Sequence, residues 1–317
     1  MSRSVFIMVL VVACAAAVVP FLGHPYLTVH ATRILIYAIF AMSLDLLVGY
    51  CGLVSLGHAA FFGSAAYATA LLSAKLNITD VLILLPLSLF AAAVVAIIVG
   101  LLTLRTYGIY FIMATLAFAQ MLFFLVNDND FFGGSDGILL LKRFTVGPGW
   151  LDASDPSTRF LIVLGATVAV FVGLFFLVRS PFGRALQGIK SNERRMRALG
   201  YSVARYKLAC FVIGGALAGL AGHFYVLLTN LTDPSIMDWT HSAQVLMMVI
   251  LGGLGTLVGP MVGAFLLIEL IDQVAELTEH WKLVVGVVVV VATLFGRGGL
   301  AGVAANLRAL IARGRPT

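Results

Sequence analysis

From Val81 to Leu104 the chain reads VLILLPLSLFAAAVVAIIVGLLTL, twenty-four residues without a charge. Surface of that kind is not stable against water, whereas a hydrocarbon core of ~30 Å is crossed by ~20 such residues rising 1.5 Å each. Comparable apolar runs, broken by Gly, Pro or charge, recur near 4–22, 31–50, 52–73, 81–104, 108–126, 159–178, 208–229, 243–257, 259–275 and 283–296, ten in all. Several hold only about 17 residues, roughly 26 Å of helix, so they are marginal spans. The expectation is an all-α polytopic membrane protein with about ten transmembrane helices, residues 1–317 forming one domain.

Composition agrees, with 61% hydrophobic and 11% charged residues, far from the mix of soluble domains. The net charge of +6 then needs no nucleic acid, because Lys and Arg collect in cytoplasmic loops. Cys14, Cys51 and Cys210 all lie in apolar runs and read as reduced packing residues. The first run follows Arg3, as a secretory signal does, and Val11-Val12-Ala13-Cys14 resembles a lipoprotein cleavage site. Its near-full spanning length makes it the first span instead. With the N-terminus inside, ten crossings put 179–207 and the tail 297–317 in the cytoplasm. These carry eight and four Lys or Arg, the latter being Arg297, Arg308, Arg313 and Arg315. The opposite segment, 127–158, holds Asp128, Asp130, Asp136, Asp152 and Asp155 against Lys142 and Arg143, as the positive-inside rule requires.

Two glycine-rich stretches look alike, GLVSLGHAAFFGSA at 52–65 and GLGTLVGPMVGAFL at 253–266, allowing a one-residue shift. Glycine-interrupted segments in the two halves of a chain mark transporter repeats and helices along a path, which singles out Gly52, Gly57, Gly253, Gly255 and Gly259. Close packing through small residues, as in Gly215-x-x-x-Gly219 and Ala218-x-x-x-Gly222, is the alternative use of such patterns.

The segment 179–207 concentrates its eight bases around a single acid, Glu193, in an organised way. Pro181 and Gly183 loosen the end of the preceding span, Ser191 or Asn192 caps a short helix 192–199, and Gly200 closes it. Glu193 in the first turn and Arg197 in the last suit the helix dipole. Met196 and Leu199 give the helix an apolar edge beside Arg194, Arg195 and Arg197, suited to docking on another protein. The alternative is a solvated basic loop resting on anionic lipid.

The stretches LVGYCGLVSLGHAAFFGSAAYATALL (47–72), RSPFGRALQGIKSNERRMRALGYSVARYKL (179–208), AGLAGHFY (218–225) and VILGGLGTLVGPMVGA (249–264) resemble permease subunits of ATP-binding-cassette importers of the branched-chain amino acid type, specifically the M-type permease. The resemblance implies a ten-helix permease supplying half of a path for branched-chain or other hydrophobic amino acids. It further implies a second permease as heterodimer partner, two cytoplasmic ATPases holding ATP and Mg, and a periplasmic binding protein. This chain would then carry no cofactor and no catalytic residue, in a bacterial inner membrane with both termini cytoplasmic. Arg184, Glu193, Arg194, Arg197 and Gly200 would occupy the ATPase-coupling motif.

Asp45, inside the second span, is the sharpest intramembrane oddity, since an ionised carboxylate there costs several kcal/mol without a partner. His58 or backbone groups of the glycine-rich third span are its expected partners. The family often has Asn at this position, so the carboxylate is a departure. Asp45, Ser55, His58 and Gln120 are candidate path residues. Glu269 and Asp272, one turn apart, read as a span reaching water. In NDNDFFGGSDGILL the Asp spacing does not make a working calcium loop, because Phe132 stands where an oxygen ligand is needed; no metal is expected. Phosphate-loop, zinc and nucleophile-elbow motifs are missing, so the energy source is external. The competing class is a gradient-driven carrier with Asp45 as ion ligand, and the competing cargo is another compact solute such as urea, a short amide or an aromatic acid.

Overall fold

The computed structural model describes residues 3–22, 24–141, 144–147 and 151–295. The predicted tail 297–317 and the pair Lys142 and Arg143 lie outside them. The described chain is helical nearly throughout: α1 (Arg3–Ala16), α2 (Pro25–Asp45), α3 (His58–Leu76), α4 (Val81–Thr103), α5 (Ile109–Asn127), α6 (Pro156–Arg179), α7 (Pro181–Ser191), α8 (Glu193–Ala198), α9 (Val203–Thr229), α10 (Trp239–Gly252), α11 (Val258–Leu277) and α12 (Trp281–Phe295). A π-turn, Leu46–Cys51, prolongs α2. Seven helices, α2 with its turn, α3, α4, α5, α6, α9 and α11, are long and apolar enough to cross a membrane. The other three expected spans correspond to shorter helices, α1, α10 and α12.

α2 and α9 are the most enclosed of the long helices, while α4 and α5 turn wide apolar faces outward. The small-residue pattern read from α9 explains its central place. A Cβ at Gly215 would meet Ala96, one at Gly219 would meet Ala92 and Ala65, and one at Gly222 would overlap the Phe62 carbonyl. Backbones therefore approach closely where lipid offers no hydrophobic drive for helix association. α3 and α4 pack on one side of α9, and α2 on another, with α6 and α11 against the outer flanks of α2.

At one end the long loop between α5 and α6 is pinned rather than free. Ile138–Leu139 pairs with Leu231–Thr232, and Thr145–Val146 with Leu151–Asp152. The Arg159 guanidinium donates to the carbonyls of Ala153, Ser154 and Leu228, joining this loop to the end of α9. At the same end His30 and Arg33 of α2 meet Glu269 and Asp272 of α11. Those two acids, read from sequence as simply reaching water, are thus part of an interhelical ion cluster.

One local expectation is corrected at the other end. Pro181 and Gly183 do not loosen the chain: Ser180 accepts a hydrogen bond from the Gly183 amide at 3.3 Å and starts α7, with Pro181 in the first turn. Proline is at home there because that amide has no intrahelical partner. α7 is amphipathic, burying Ala185, Leu186 and Ile189 and exposing Arg184, Gln187 and Lys190.

Candidate functional site

α8 is built as the residues around it suggest. Asn192 Oδ1 accepts from the Arg195 amide at 3.0 Å. At the other end Gly200 has φ +86°, the Gly200 amide donates to Arg197 O and the Tyr201 amide to Met196 O, closing the helix in the pattern that a left-handed glycine permits. A single acid then braces it: Glu193 Oε1 meets Arg197 at 2.5 Å and Oε2 meets Lys207 of α9 at 2.6 Å. Arg197 also donates to the Tyr107 hydroxyl, just before α5. Burial by itself raises the Glu193 pKa, but the Lys207 hydrogen bond and charge, with those of Arg197, hold the carboxyl below its ordinary range.

Both Glu193 oxygens are therefore used inside the chain, and Met196 turns back onto Gly188 of α7. The outward surface of α8 consists of Arg194, Arg195 and Leu199, with Arg197 half exposed. Arg184 does not touch the cavity that holds Glu193 and lines a different one with Gln187 and Lys190.

α7 leads from this helix to the glycine breaks. Lys190, in its last turn, donates to the Gly49 carbonyl of the π-turn at 2.6 Å. Gly49 lies against Gly255, so close that a Cβ at Gly49 would overlap the Gly255 backbone and Asp45. Asp45 Oδ1 accepts from the Gly255 amide at 2.7 Å, and Oδ2 from the Leu257 amide at 3.4 Å. The expected pairing of Asp45 with His58 or the third span is thereby corrected: its partners belong to the second break, 253–257. Two exposed amides of an interrupted helix offer the fixed positive charge that a buried carboxylate needs. Sequence reading could find the carboxylate but not a partner 210 residues away.

The two breaks share a local device. Ser55 Oγ accepts from the Gly57 amide at 3.2 Å, and Thr256 Oγ1 accepts from the Gly259 amide at 3.0 Å. Gly52, Gly253 and Gly255 have φ of +77°, +111° and +74°. Gly57 sits against the Thr115 carbonyl, and Gly259 against the Gly252 and Gly253 carbonyls.

At the start of α3 lies a buried polar layer. His58 Nε2 shares a hydrogen bond with Ser43 Oγ at 2.9 Å, and its ring stacks on Phe40. The Ala59 amide donates to Ser242 Oγ of α10 at 2.8 Å. Gln120 donates to Asp238, the residue that caps α10. Asp45, Ser55 and His58 are thus fully buried, and Gln120 partly so. A second buried histidine, His223, meets Thr69 and Ser88. It lies in AGLAGHFY, one of the stretches that carry the family resemblance, but is not among the candidate residues singled out from the sequence.

The sequence profile of one family, the permease component of branched-chain amino acid transport systems, matches residues 26–294, a range that includes both breaks, the buried layer and α7–α8. The chain belongs to that permease family. Over 320 residues the permease is 31% identical to the high-affinity branched-chain amino acid transport system permease protein LivM of Salmonella typhimurium, covering 94% of this chain and 75% of that one. The protein of the same name from Escherichia coli is 30% identical over 292 residues, 85% of this chain and 68% of the other. A xylose transport system permease protein of Escherichia coli is similar over a shorter stretch, 28% identical across 39% of this chain and 33% of its own. No solved structure matches the permease.

Proposed function

We propose that the permease imports branched-chain or other hydrophobic amino acids, forming half of a path completed by a second, non-identical permease. Two cytoplasmic ATPases that bind ATP and Mg drive it, and a periplasmic solute-binding protein delivers cargo; this chain itself holds no cofactor. It sits in a bacterial inner membrane, with 179–207 and both termini on the cytoplasmic side.

The observation that carries this reading is the continuity from α8 to the breaks. A helix capped at both ends is braced by Glu193 to α9 and joined through α7 and Lys190 to Gly49. ATP-driven movement has to pass as rigid-body displacement into the spans, and such a connection has little slack. Arg194, Arg195 and Leu199 form the surface offered to the ATPase, while Glu193, Arg197 and Gly200 fix the shape of that surface.

The test is a pull-down of the tagged chain from gently solubilised membranes, wild type beside Arg194→Glu/Arg195→Glu. Recovery of an ATPase and a second permease with wild type, and loss of the ATPase alone in the variant, is the expected result. Leucine uptake that survives vanadate but stops with a protonophore would instead establish a gradient-driven carrier. The bonding of Asp45 weighs against that alternative, because its two oxygens are already taken by backbone amides. Competition of leucine uptake by isoleucine and valine, set against xylose and urea, fixes the cargo class.

A further inference from the structure

α4 and α5 both turn wide faces outward, but the two faces differ in kind. On α4 the outer surface includes Leu87, Phe90, Val94, Ile98 and Leu101, and the two hydroxyls of the helix, Ser88 and Thr103, are buried. Such a surface suits hydrocarbon. α5 instead presents Met113, Ala117, Gln120 and Phe124 at the spacing of one helix face, with an amide in the middle. α10 repeats the arrangement with Thr240, Gln244, Met247 and Leu251. Asp238 joins the two stripes: its carboxylate accepts from the Gln120 amide at 3.4 Å and from the Thr240 backbone amide of α10 at 2.7 Å. Gln120 is thus bonded within the chain. Gln244 is partly exposed, and no hydrogen bond holds its amide among the described residues. A bare side-chain amide is not stable against hydrocarbon, so this face borders water or another protein. Static packing between helices uses small residues, as Gly215 and Gly219 do on α9. Methionine and glutamine are long and flexible, and suit contacts that form and break.

We propose that the joint face of α5 and α10 is this chain's wall of the path, and that Gln244 is the group that bonds the zwitterion of an aliphatic amino acid as it passes. The proposal rests on the import reading given above. A side-chain amide offers two N–H donors and an oxygen acceptor. It can therefore meet the carboxylate and then the ammonium of one cargo, without a charge that would retain either end. Met113 and Met247 adapt to the side chains of leucine, isoleucine or valine. α10 also lies between the two breaks: Ser242 holds the helix that follows the first, and the second begins directly after its last turn. Movement of the second break thus displaces the wall that carries Gln244.

The experiment uses the assembled transporter with its binding protein in vesicles, carrying Gln244→Cys, Met113→Cys or Phe90→Cys. A charged methanethiosulfonate, which attacks thiolates and hence thiols in water, is added on both sides, and labelled positions are read from peptide masses. Cys51 and Cys210, both buried, serve as internal references. Gln244→Cys and Met113→Cys label and Phe90→Cys does not, and leucine slows labelling at Gln244→Cys whereas xylose does not. In Gln244→Leu the rate of ATP-driven leucine import falls about tenfold, the loss expected for one bond to a charged group, while Phe90→Leu leaves it unchanged. Labelling of Phe90→Cys equal to that of Gln244→Cys overturns the proposal. So does a silent Gln244→Cys, which means a face sealed against lipid or the second permease. Labelling that leucine does not slow, or unchanged import in Gln244→Leu, overturns the role of Gln244. If Gln244→Leu unfolds at a lower temperature than wild type, the protection by leucine at Gln244→Cys decides instead. If the assembly imports no leucine at all, the import reading fails, and the wall is judged by labelling alone: reactive Gln244→Cys and Met113→Cys beside a silent Phe90→Cys support it, and the reverse rejects it.

Discussion

The break before α3 and the break before α11 begin with the same glycine and the same hydroxyl cap, yet they are held in opposite ways. The first, residues 52–57, has left-handed backbone only at Gly52, and the helix that follows it is capped by a neutral hydroxyl, Ser242. The second, residues 253–257, has left-handed backbone at Gly253 and Gly255 and at Leu257, a branched residue with φ +56°. That conformation costs Leu257 roughly 1–2 kcal/mol, and the carboxylate of Asp45 holds it in place. A strained turn held by the Asp45 carboxylate and the Thr256 hydroxyl is suited to switching, whereas a relaxed turn with a neutral cap is suited to staying put. The expectation is therefore that the second break moves during transport and the first does not.

The substitution with the largest effect should be Gly49→Val, which drives a side chain into the Gly255 backbone and Asp45. We expect a loss of about 3 kcal/mol and no uptake, measured by thermal unfolding and leucine transport. Gly52→Ala, with only Lys190 nearby, should cost just ~1 kcal/mol. Equal effects would end the distinction between the breaks. Next comes Asp45→Ala, which strands the Gly255 and Leu257 amides and should cost about 2 kcal/mol, raising the ATP hydrolysed per amino acid imported. Asp45→Asn keeps one acceptor and should fall between that variant and wild type in both readouts.

Ser242→Ala should cost ~1 kcal/mol through the Ala59 amide while leaving the ratio of hydrolysis to import unchanged. A change in that ratio would make the first break a moving part as well. The smallest effect concerns α8. The Glu193 carboxyl is held below its ordinary value of 4.5, so its bracing contributes above that value and is lost as pH falls through the lower folded-state value. Protection of the 193–198 amides, relative to their intrinsic exchange rates, should thus be constant from neutral pH down to about that ordinary value, then fall in more acid solution. In Lys207→Met the fall should begin at higher pH.

Local chemistry made α8 legible: Asn192, Glu193 and Gly200 state its start, polarity and stop within nine residues. The apolar runs likewise announced an all-α membrane protein, but the expected spans 52–73 and 243–257 ran through residues 52–57 and 253–257, where the helices are broken. What the sequence hid was long-range. Nothing near Asp45 points to Gly255, and nothing near Lys190 points to Gly49. α7 was obscured for a different reason, because Pro181 and Gly183 are breakers in a helix interior but acceptable in a first turn behind a Ser180 cap. The second partner of Glu193 was hidden as that of Asp45 was, since Lys207 reaches it from α9, fourteen residues on.

The caps of the two breaks also set a schedule for biosynthesis. Ala59 precedes its acceptor Ser242 by 183 residues, and Asp45 precedes Gly255 by 210. At roughly 5–20 residues per second, the ribosome needs on the order of ten seconds or more to supply either missing partner. During that interval α2 and α3 have emerged with a bare amide and an unanswered carboxylate. Bilayer hydrocarbon will not accept those groups, so the early helices have to wait beside water or an insertion machine until α10 and α11 arrive. The last quarter of the gene thus supplies the partners that polar groups in the first quarter lack until then.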